Sequence, residues 1–360
     1  MAERALHRLK VGILLAGASV LPMLAASPAK ADFVTDRIIQ NVIQNVLQNV
    51  RDQIQGRRLA VPSPGRMQFT GEDANAMSTG DDPFAALGYA KSPVYTKAPR
   101  AAAPVLPTYL YGLNLTGSAD WSHSGGITTS TYGVTGAFDV TKIGIFNQYD
   151  ALTFIATGSG LWSNAIGLDA TTGVGAGTVA YTNGGFSVDF TVNGTWTSSR
   201  LAILGVLTNI DSTGVSYSPN VQYKFDLANG WFIEPTVGVS YTQSFDANFA
   251  NQTGDSTEVH GGVRFGTDST WNGVRVQPSL KLEAFSLVAQ SGVGGVVLVG
   301  GVPVPVGAGG GVATGEVGGR ASGKLNILWT QTFSSYIEAH GSGISGLTSY
   351  GTTAGLRWTF

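Results

Sequence analysis

The sequence predicts an all-β fold, a 12-stranded antiparallel transmembrane β-barrel, preceded by one amphipathic α-helix and a proline-rich linker. Three observations support this prediction. Apolar and polar residues alternate with period two over segments of about ten residues, longer than the ~5–6 residues of a typical soluble strand. Charged residues make up 12% of the chain, whereas a soluble globular chain contains ~25%. Glycine supplies 50 of the 360 residues, about twice its usual ~7% share.

The first 31 residues have the three parts of a secretory signal peptide. Basic residues precede an apolar stretch over 11–26, and Ala29-Lys30-Ala31 has the pattern of a cleavage site. A membrane anchor is the alternative interpretation, but the apolar stretch is shorter than the ~20 residues of a spanning helix. We therefore expect residues 1–31 to be removed on export, so that the mature chain begins at Asp32.

Residues 32–58 are predicted to form the amphipathic helix. Apolar residues from Ile38 to Ile54 recur at helical spacing on one face, and the Gln and Asn residues between Gln40 and Gln48 lie on the other. A Gln-Asn-Val unit starting at Gln40 recurs every four residues. The helix could lie in the pore of the barrel, on a membrane surface or against a second copy. Its amide face suits a polar lumen and its Ile/Val face does not, so the sequence leaves this location open.

Two segments rich in proline or glycine are predicted to lie outside regular structure. Residues 59–108 contain seven prolines and no periodicity, which indicates a linker or a short passenger-like region. Residues 291–312 carry no charge and have the hydropathy of a spanning helix, but they include two prolines and many glycines. Because each interior Gly costs a helix ~1 kcal/mol and each Pro ~3 kcal/mol, we expect a long loop or flexible hairpin there.

Residues 109–360 are predicted to form the barrel. One face of each strand is apolar, while the other carries Gly, Ser, Thr, Asn and a few charges of both signs. A soluble sandwich would place many Lys and Glu residues on its outer surface, whereas a basic residue facing lipid costs ~2–4 kcal/mol. Strand edges cannot face hydrocarbon, so the last strand must pair with the first. The twelve strands are expected to start near residues 109, 127, 151, 173, 186, 212, 231, 256, 271, 312, 333 and 350.

Tryptophans and connection lengths indicate how the barrel sits in the membrane. All seven Trp residues fall near predicted strand ends, as the aromatic girdles of a membrane barrel require. Turns predicted at one end are short, apart from the connection over 141–150. Longer loops are predicted at the other end, over 197–211, 244–255 and 286–311. Short periplasmic turns and long external loops are typical of outer-membrane barrels.

Charged residues on neighbouring strands are predicted to form a lumenal polar network, in which buried ions satisfy one another. A substrate-binding role is the alternative. The proposed members are Glu234, Glu258, Arg264, Arg275, Lys281, Glu283, Glu316 and Arg320.

Composition argues against an enzyme, a cofactor or a metal site. The absence of cysteine excludes disulfides, thiol nucleophiles and thiolate metal sites. Glu338 and His340 share the inward face of one predicted strand, but we interpret them as polar filling of the lumen rather than a hydrolytic pair. The net charge of −2 argues against nucleic-acid binding. We expect no catalytic, cofactor-binding or metal-binding residues.

The C-terminal GLRWTF resembles the carboxyl-terminal strand of outer-membrane proteins. Two further segments, GWFIEPTVGVSYTQSF at 230–245 and GVRVQPSLKLEAF at 273–285, resemble strand segments of the β-domain of autotransporters, the type V secretion proteins of Gram-negative bacteria. The resemblance covers roughly 109–360 and implies twelve strands, with a helix that threads the pore and joins it to an exported passenger. It also implies a C-terminal barrel-insertion signal at Tyr350, Leu356, Trp358 and Phe360. The implied partners are outer-membrane lipid, the barrel-assembly machinery and periplasmic chaperones.

The sequence departs from this family pattern in two respects. The region over 32–108 is too short for a long β-helical passenger, and about fifty residues separate the helix from the first strand. Some family members cleave their passenger inside the pore at paired Asn residues, and no Asn-Asn pair exists here. We therefore expect an uncleaved anchor that displays or transports its short N-terminal region at the cell surface. The alternatives are a passive outer-membrane pore or structural barrel, and a surface adhesin acting through its external loops.

Overall fold

The computed structural model describes most of the predicted barrel and part of the predicted helix. The described residues are 43, 46, 47, 50, 51, 53–55, 109–124, 127–147, 149–165, 168–203, 206–247, 249, 251–292, 296–299, 302–305, 314–344 and 346–360. The predicted signal peptide over 1–31 and the predicted linker over 59–108 lie outside these residues.

Twelve long strands form the barrel, and each pairs antiparallel with both of its neighbours, which confirms the predicted fold class. Two short strands, Phe225–Asp226 and Ser269–Trp271, each pair with the long strand that follows them in the chain. The twelve strands are β1 (Tyr109–Ser124), β2 (Ile127–Ile143), β3 (Asp150–Ala165), β4 (Leu168–Asn183), β5 (Phe186–Ile203), β6 (Val206–Tyr223), β7 (Trp231–Asp246), β8 (Gln252–Thr267), β9 (Val274–Gly292), β10 (Val317–Leu328), β11 (Phe333–Ile344) and β12 (Leu347–Thr359).

The barrel closes through β1 and β12, as the cost of an open edge in hydrocarbon requires. At the end of this seam the backbone N–H of Tyr111 donates to the carbonyl of Phe360 at 2.7 Å, and the N–H of Phe360 donates back at 3.0 Å. We call this end of the barrel, which carries Tyr109 and Phe360, the terminal rim. The opposite end, where β1 connects to β2, is the far rim.

The barrel has its apolar surface outside and its polar surface inside. Large apolar side chains such as Val134, Val237 and Ile337 are at least half exposed on the outer surface. Buried positions on the inner surface are mostly Thr, Ser, Asn and Glu. In water this arrangement would forfeit the free energy of burying apolar area, whereas in a bilayer it places that area against lipid. Among the described residues, no helix combines the length and hydropathy needed to cross a membrane.

Aromatic side chains mark two levels on the outer surface. Near the far rim, Trp121 stacks on Tyr350 with ring centroids 5.7 Å apart. Near the terminal rim, Tyr111 stacks on Phe360 at 6.2 Å. Ten residues separate Tyr111 from Trp121 along β1, which is about 25 Å of height at ~3.3 Å per residue and a tilt of ~40°. That height equals the apolar band of an outer-membrane barrel.

Strands replace one of the predicted long loops and shorten the one predicted over 244–255 to residues 247–251, so both predictions are wrong. β5 and β6 run through most of 197–211 and leave only residues 204–205 between them. The next two outward positions after Trp196 are polar: the Ser198 hydroxyl donates to Asp211 at 2.7 Å, and Arg200 pairs in register with Asp169. The ladder therefore continues past the lipid into water, where period-two apolar alternation is no longer required. Of the six far-rim connections, only 293–316 is long, and four span two residues.

The connection over 144–149 at the terminal rim is held by one carboxylate. Asp150 accepts hydrogen bonds from the backbone N–H groups of Ile145 at 2.7 Å, Phe146 at 2.9 Å and Asn147 at 3.2 Å. These bonds satisfy three backbone donors that a six-residue turn would otherwise leave to solvent. This connection is the exception in length among the predicted short turns, and the aspartate explains how the chain tolerates it.

Candidate functional site

The lumen is the candidate functional site because the helix lies inside it. All eight described residues between Ile43 and Gln55 are helical. Val46, Val50 and Ile54 are at most 1% exposed and form one apolar cluster with inward-facing side chains of β2, β3 and β4. The barrel residues of this cluster are Ala137, Ile155, Leu161, Ala170, Val174 and Ala180.

Polar residues of the helix contact the opposite wall. Arg51 Nη2 lies 3.0 Å from His260 Nε2, and Gln55 accepts a hydrogen bond from Arg264. Both partners belong to β8, whereas the apolar cluster belongs to β2–β4. The lumen therefore offers an apolar stripe to the Ile/Val face and polar groups to the other face. This two-sided match removes the conflict that left the location of the helix open at the sequence level.

These contacts also determine which way the helix points. Arg51 precedes Gln55 along the helix, and their partners His260 and Arg264 are likewise four residues apart on β8. β8 runs from the far rim to the terminal rim, so Arg264 is the partner nearer the terminal rim. The helix therefore runs through the lumen from the far rim toward the rim that carries Tyr109 and Phe360.

Ion pairs connect four neighbouring strands of the polar wall. Arg264 of β8 pairs with Glu234 of β7. Arg320 of β10 donates to both oxygens of Glu258 at 2.6 and 2.8 Å and to Glu283 of β9 at 3.0 Å. Lys281 lies 2.8 Å from Glu283. The structure thus brings six of the eight predicted network residues to one region of the lumen wall.

The other two predicted network residues lie elsewhere. Arg275 forms a bidentate ion pair with Asp268 in the turn between β8 and β9, at the terminal rim. Glu316 immediately precedes β10, and across the described part of the chain no ion pair is found for it. Its Oε2 is buried without a hydrogen-bond partner there. The alternating pattern placed both residues on the inward face, but their height depends on register and turn geometry.

Glu338 and His340 each have an ionic partner on another strand. Glu338 lies 4.0 Å from Lys324 on β10, while His340 Nε2 lies 2.6 Å from Asp120 Oδ1. These contacts join β11 to its partner strand on one side and to β1 on the other, across the closure of the barrel. The interpretation as polar filling of the lumen describes this arrangement better than a hydrolytic pair. In the described residues, no cluster of three or more His, Cys, Asp or Glu side chains has the arrangement of a metal site.

Glycines opposite inward aromatic rings were missed by the sequence analysis. Phe285 pairs in register with Gly318, and Tyr336 pairs with Gly355. A Cβ atom at Gly318 would lie 2.4 Å from Phe285 Cζ, and one at Gly355 would lie 2.4 Å from Tyr336 Cε1. Each ring lies over the backbone of the neighbouring strand because the glycine leaves room for it. The Phe285 ring in turn supports the Arg320 guanidinium, whose carbon lies 3.8 Å from the ring centroid.

The opposite wall is held by hydroxyl pairs between adjacent strands. Thr178 and Thr191 lie 2.8 Å apart, Thr172 and Thr197 lie 3.0 Å apart, and similar pairs join β2 to β3. Such pairs satisfy buried hydroxyl groups without introducing charge. They leave space between them for the small apolar side chains that contact the helix.

The predicted insertion signal lies on the outer surface of β12 and at its end. Tyr350, Leu356, Trp358 and Phe360 are all exposed. Trp358 packs on Phe333 of β11 at 5.4 Å, whereas Phe360 and Tyr350 pack on aromatic residues of β1. The three aromatic side chains therefore contribute to the two strand pairings that complete the barrel.

Comparison with known proteins agrees with this architecture. The family model of the autotransporter beta-domain matches residues 112–340. The fold is similar to that of the beta domain of the Bordetella autotransporter BrkA, with a TM-score of 0.55 and 15% identity over 69% of this chain and 98% of that one. It is also similar to the translocator domain of autotransporter NalP from Neisseria meningitidis, with a TM-score of 0.50 and 8% identity over 71% of this chain and 89% of that one. At these identities the structural likeness shows the fold alone, and no curated protein matches the sequence.

Proposed function

Because the chain belongs to the autotransporter β-domain family, a family of Gram-negative outer-membrane barrels, we propose that it anchors itself in that membrane and displays the residues that precede its lumenal helix. The observation that supports this proposal is the direction of the helix. Its N-terminal end points to the far rim, while Gln55 points to the rim that carries Tyr109. The barrel supplies anchorage and a path through the membrane, without catalysis.

The long connection over 293–316 supports a proposed assignment of the two rims to compartments. An even number of strands brings the start of β1 and Phe360 to the same rim, and the long connection over 293–316 leaves from the other. Since long loops of outer-membrane barrels are external, the terminal rim faces the periplasm. Residues 32–42 would then emerge at the cell surface. Residues 56–108 would join Gln55 to Tyr109 on the periplasmic side.

The proposed domain organisation is compatible with this topology. Residues 1–31 act as the cleaved signal peptide, 32–58 carry the displayed segment and the lumenal helix, and 59–108 form the linker that returns the chain to β1. The lumenal network, including Glu234, Arg264 and Arg320, holds the wall that the helix contacts. The barrel-assembly machinery would receive β12 and its aromatic end from periplasmic chaperones and release the barrel into outer-membrane lipid.

Protease accessibility on intact cells tests this proposal. One epitope tag is placed directly after Asp32 and, in a second variant, the same tag is placed after Gly71. We expect external protease to remove the tag at Asp32 and to leave the tag at Gly71 until the outer membrane is permeabilised. Cleavage at Gly71 in intact cells, or protection at Asp32 in a correctly inserted barrel, would contradict the proposed topology. N-terminal sequencing of the same protein checks the predicted start at Asp32.

A further inference from the structure

The connection between β9 and β10 contains a hairpin that is separate from the barrel sheet. Val296–Val299 pairs antiparallel with Val302–Pro305, and in the described residues this two-stranded sheet pairs with no barrel strand. The register joins Val299 to Val302 across a two-residue turn. All eight residues are apolar, and no charged residue occurs from 284 to 315. The hairpin belongs to the far rim, which is the external rim in the proposed topology.

The two edges of this hairpin differ in backbone chemistry. Pro303 and Pro305 have no N–H, so the hydrogen bonds between the two strands must run through Val302 and Val304. The backbone of both prolines therefore faces the free edge of the second strand, which offers no donor. Proline at such positions blocks further strand pairing. The free edge of the first strand has Val296 and Leu298 at the corresponding positions, and both keep their N–H and C=O groups.

A two-stranded hairpin with one open edge calls for a third strand. An isolated hairpin is marginally stable in water, and three or more strands are needed for a stable sheet. A second copy of the same edge can pair with it without electrostatic repulsion, because neither copy carries a charged residue there. Pairing two copies also places the proline edges outermost on both sides. The sheet would therefore stop at four strands instead of growing into a filament.

We propose that this hairpin joins two copies of the chain through the Val296–Val299 edge, an interaction independent of the proposed display function. The two edge strands run antiparallel about a two-fold axis. Val296 of each copy exchanges both backbone hydrogen bonds with position 298 of the other, and position 297 lies opposite itself. The result is a four-stranded sheet between two barrels held in the same membrane with the same orientation.

A single introduced cysteine tests this register, because the natural chain has none. Position 297 would form a pair that is not hydrogen-bonded, with Cα atoms ~4.5 Å apart, a separation that a disulfide can bridge. Full-length Val297→Cys protein in the outer membrane of intact cells is treated with a mild thiol oxidant and run on a non-reducing gel. We expect a disulfide-linked dimer. Val304→Cys, the hairpin partner of position 297, is the matched control and should remain monomeric.

A second pair of variants tests the edge itself. Adding Leu298→Pro to Val297→Cys removes a donor from the open edge while leaving the bonds inside the hairpin, so the dimer band should be lost. Adding Leu298→Ala keeps the N–H and should preserve the band. A monomeric Val297→Cys in a correctly inserted barrel overturns the proposal, and so does an adduct with a different protein. Equal crosslinking at positions 297 and 304 would indicate random collision and would overturn it as well.

Discussion

The two halves of the lumen wall hold the same helix by different means. β2–β4 offer small apolar side chains, set among neutral hydroxyl pairs, to Val46, Val50 and Ile54. β7–β10 carry a network of paired charges, from which His260 and Arg264 contact the helix. Apolar contact is not directional, so one wall contributes affinity over a range of positions. Hydrogen bonds are directional, so the other wall sets the height and rotation of the helix.

The comparison also explains why the charges are concentrated on one wall. A buried ion is tolerated only when its partners are near, and register brings β7, β8, β9 and β10 side by side. An isolated charge among the hydroxyl pairs would need a hydrogen-bond partner of its own. Asp189 on β5 has such a partner, since it accepts a hydrogen bond from Asn220 at 3.0 Å. The charged wall is therefore expected to be sensitive to the loss of single residues.

Arg320→Met should have the largest effect. The arginine donates three hydrogen bonds to Glu258 and Glu283, and breaking a buried pair by removing one partner costs about 3–5 kcal/mol. We expect the free energy of unfolding, measured by urea titration of the barrel folded in detergent, to fall by that amount. Arg275→Met is the control, because its partner Asp268 lies in a rim turn. Equal losses in the two variants would contradict the distinction between lumen and rim.

Ile54→Ala should weaken the apolar side of the helix. Ile54 is fully buried against β2–β4, and Ile→Ala substitutions in a packed core cost about 2–5 kcal/mol. Because the helix lies in the lumen, we expect transient openings in planar-bilayer recordings of this variant. Deletion of 32–58 should give a steady open channel and serves as the positive control. A full-length natural protein that already conducts steadily would show that the helix does not close the pore.

Gly318→Ala tests whether the aromatic support of the charged wall depends on glycine. Its Cβ would fall 2.4 Å from Phe285 Cζ and 2.9 Å from the carbonyl oxygen of Gly343, and overpacking of this kind costs about 1–3 kcal/mol. Gly323→Ala on the same strand is the matched control, since no atom lies within 4 Å of its Cβ position. The thermal midpoint should fall for Gly318→Ala alone. A matching fall in both variants would contradict the ring contact as its cause, because the backbone-entropy effect of a Gly→Ala change raises stability.

Gln55→Leu should have the smallest effect. It removes one hydrogen bond to Arg264, which keeps its ion pair with Glu234, so the expected loss is about 1 kcal/mol. A urea titration alongside Ile54→Ala compares the two faces of one helix at adjacent positions. A loss at Gln55 larger than that at Ile54 would reverse the roles assigned to the two walls.

Several features of the fold could be predicted from local patterns. Period-two alternation identified all twelve strands, with starts that the structure shifts by at most six residues. The same alternation assigned the outward face, and the cost of an open edge in lipid required β12 to pair with β1. In 197–211 the pattern failed to predict the strands. Strands that extend beyond the lipid remain paired, but apolar and polar residues no longer alternate along them.

The candidate site was predicted less completely because it depends on register. The inward positions of Glu338 and His340 were predicted, but their separate partners Lys324 and Asp120 lie on other strands. Nothing in the local sequence indicates that Phe285 meets Gly318. Both results depend on how far each strand is displaced along its neighbour, which is decided by turns and by closure of the whole ring.

The sequence by itself determined that this chain forms a barrel with its apolar side outward, because strand period and charge placement are local properties that the surrounding solvent selects. The tertiary structure decided where the helix lies. An Ile/Val face has no place in a uniformly polar pore, and only the folded ring gathers Ala137, Ile155 and Val174 from three strands into an apolar stripe opposite His260 and Arg264. That stripe depends on the register between strands, which cannot be inferred from any single segment of the sequence.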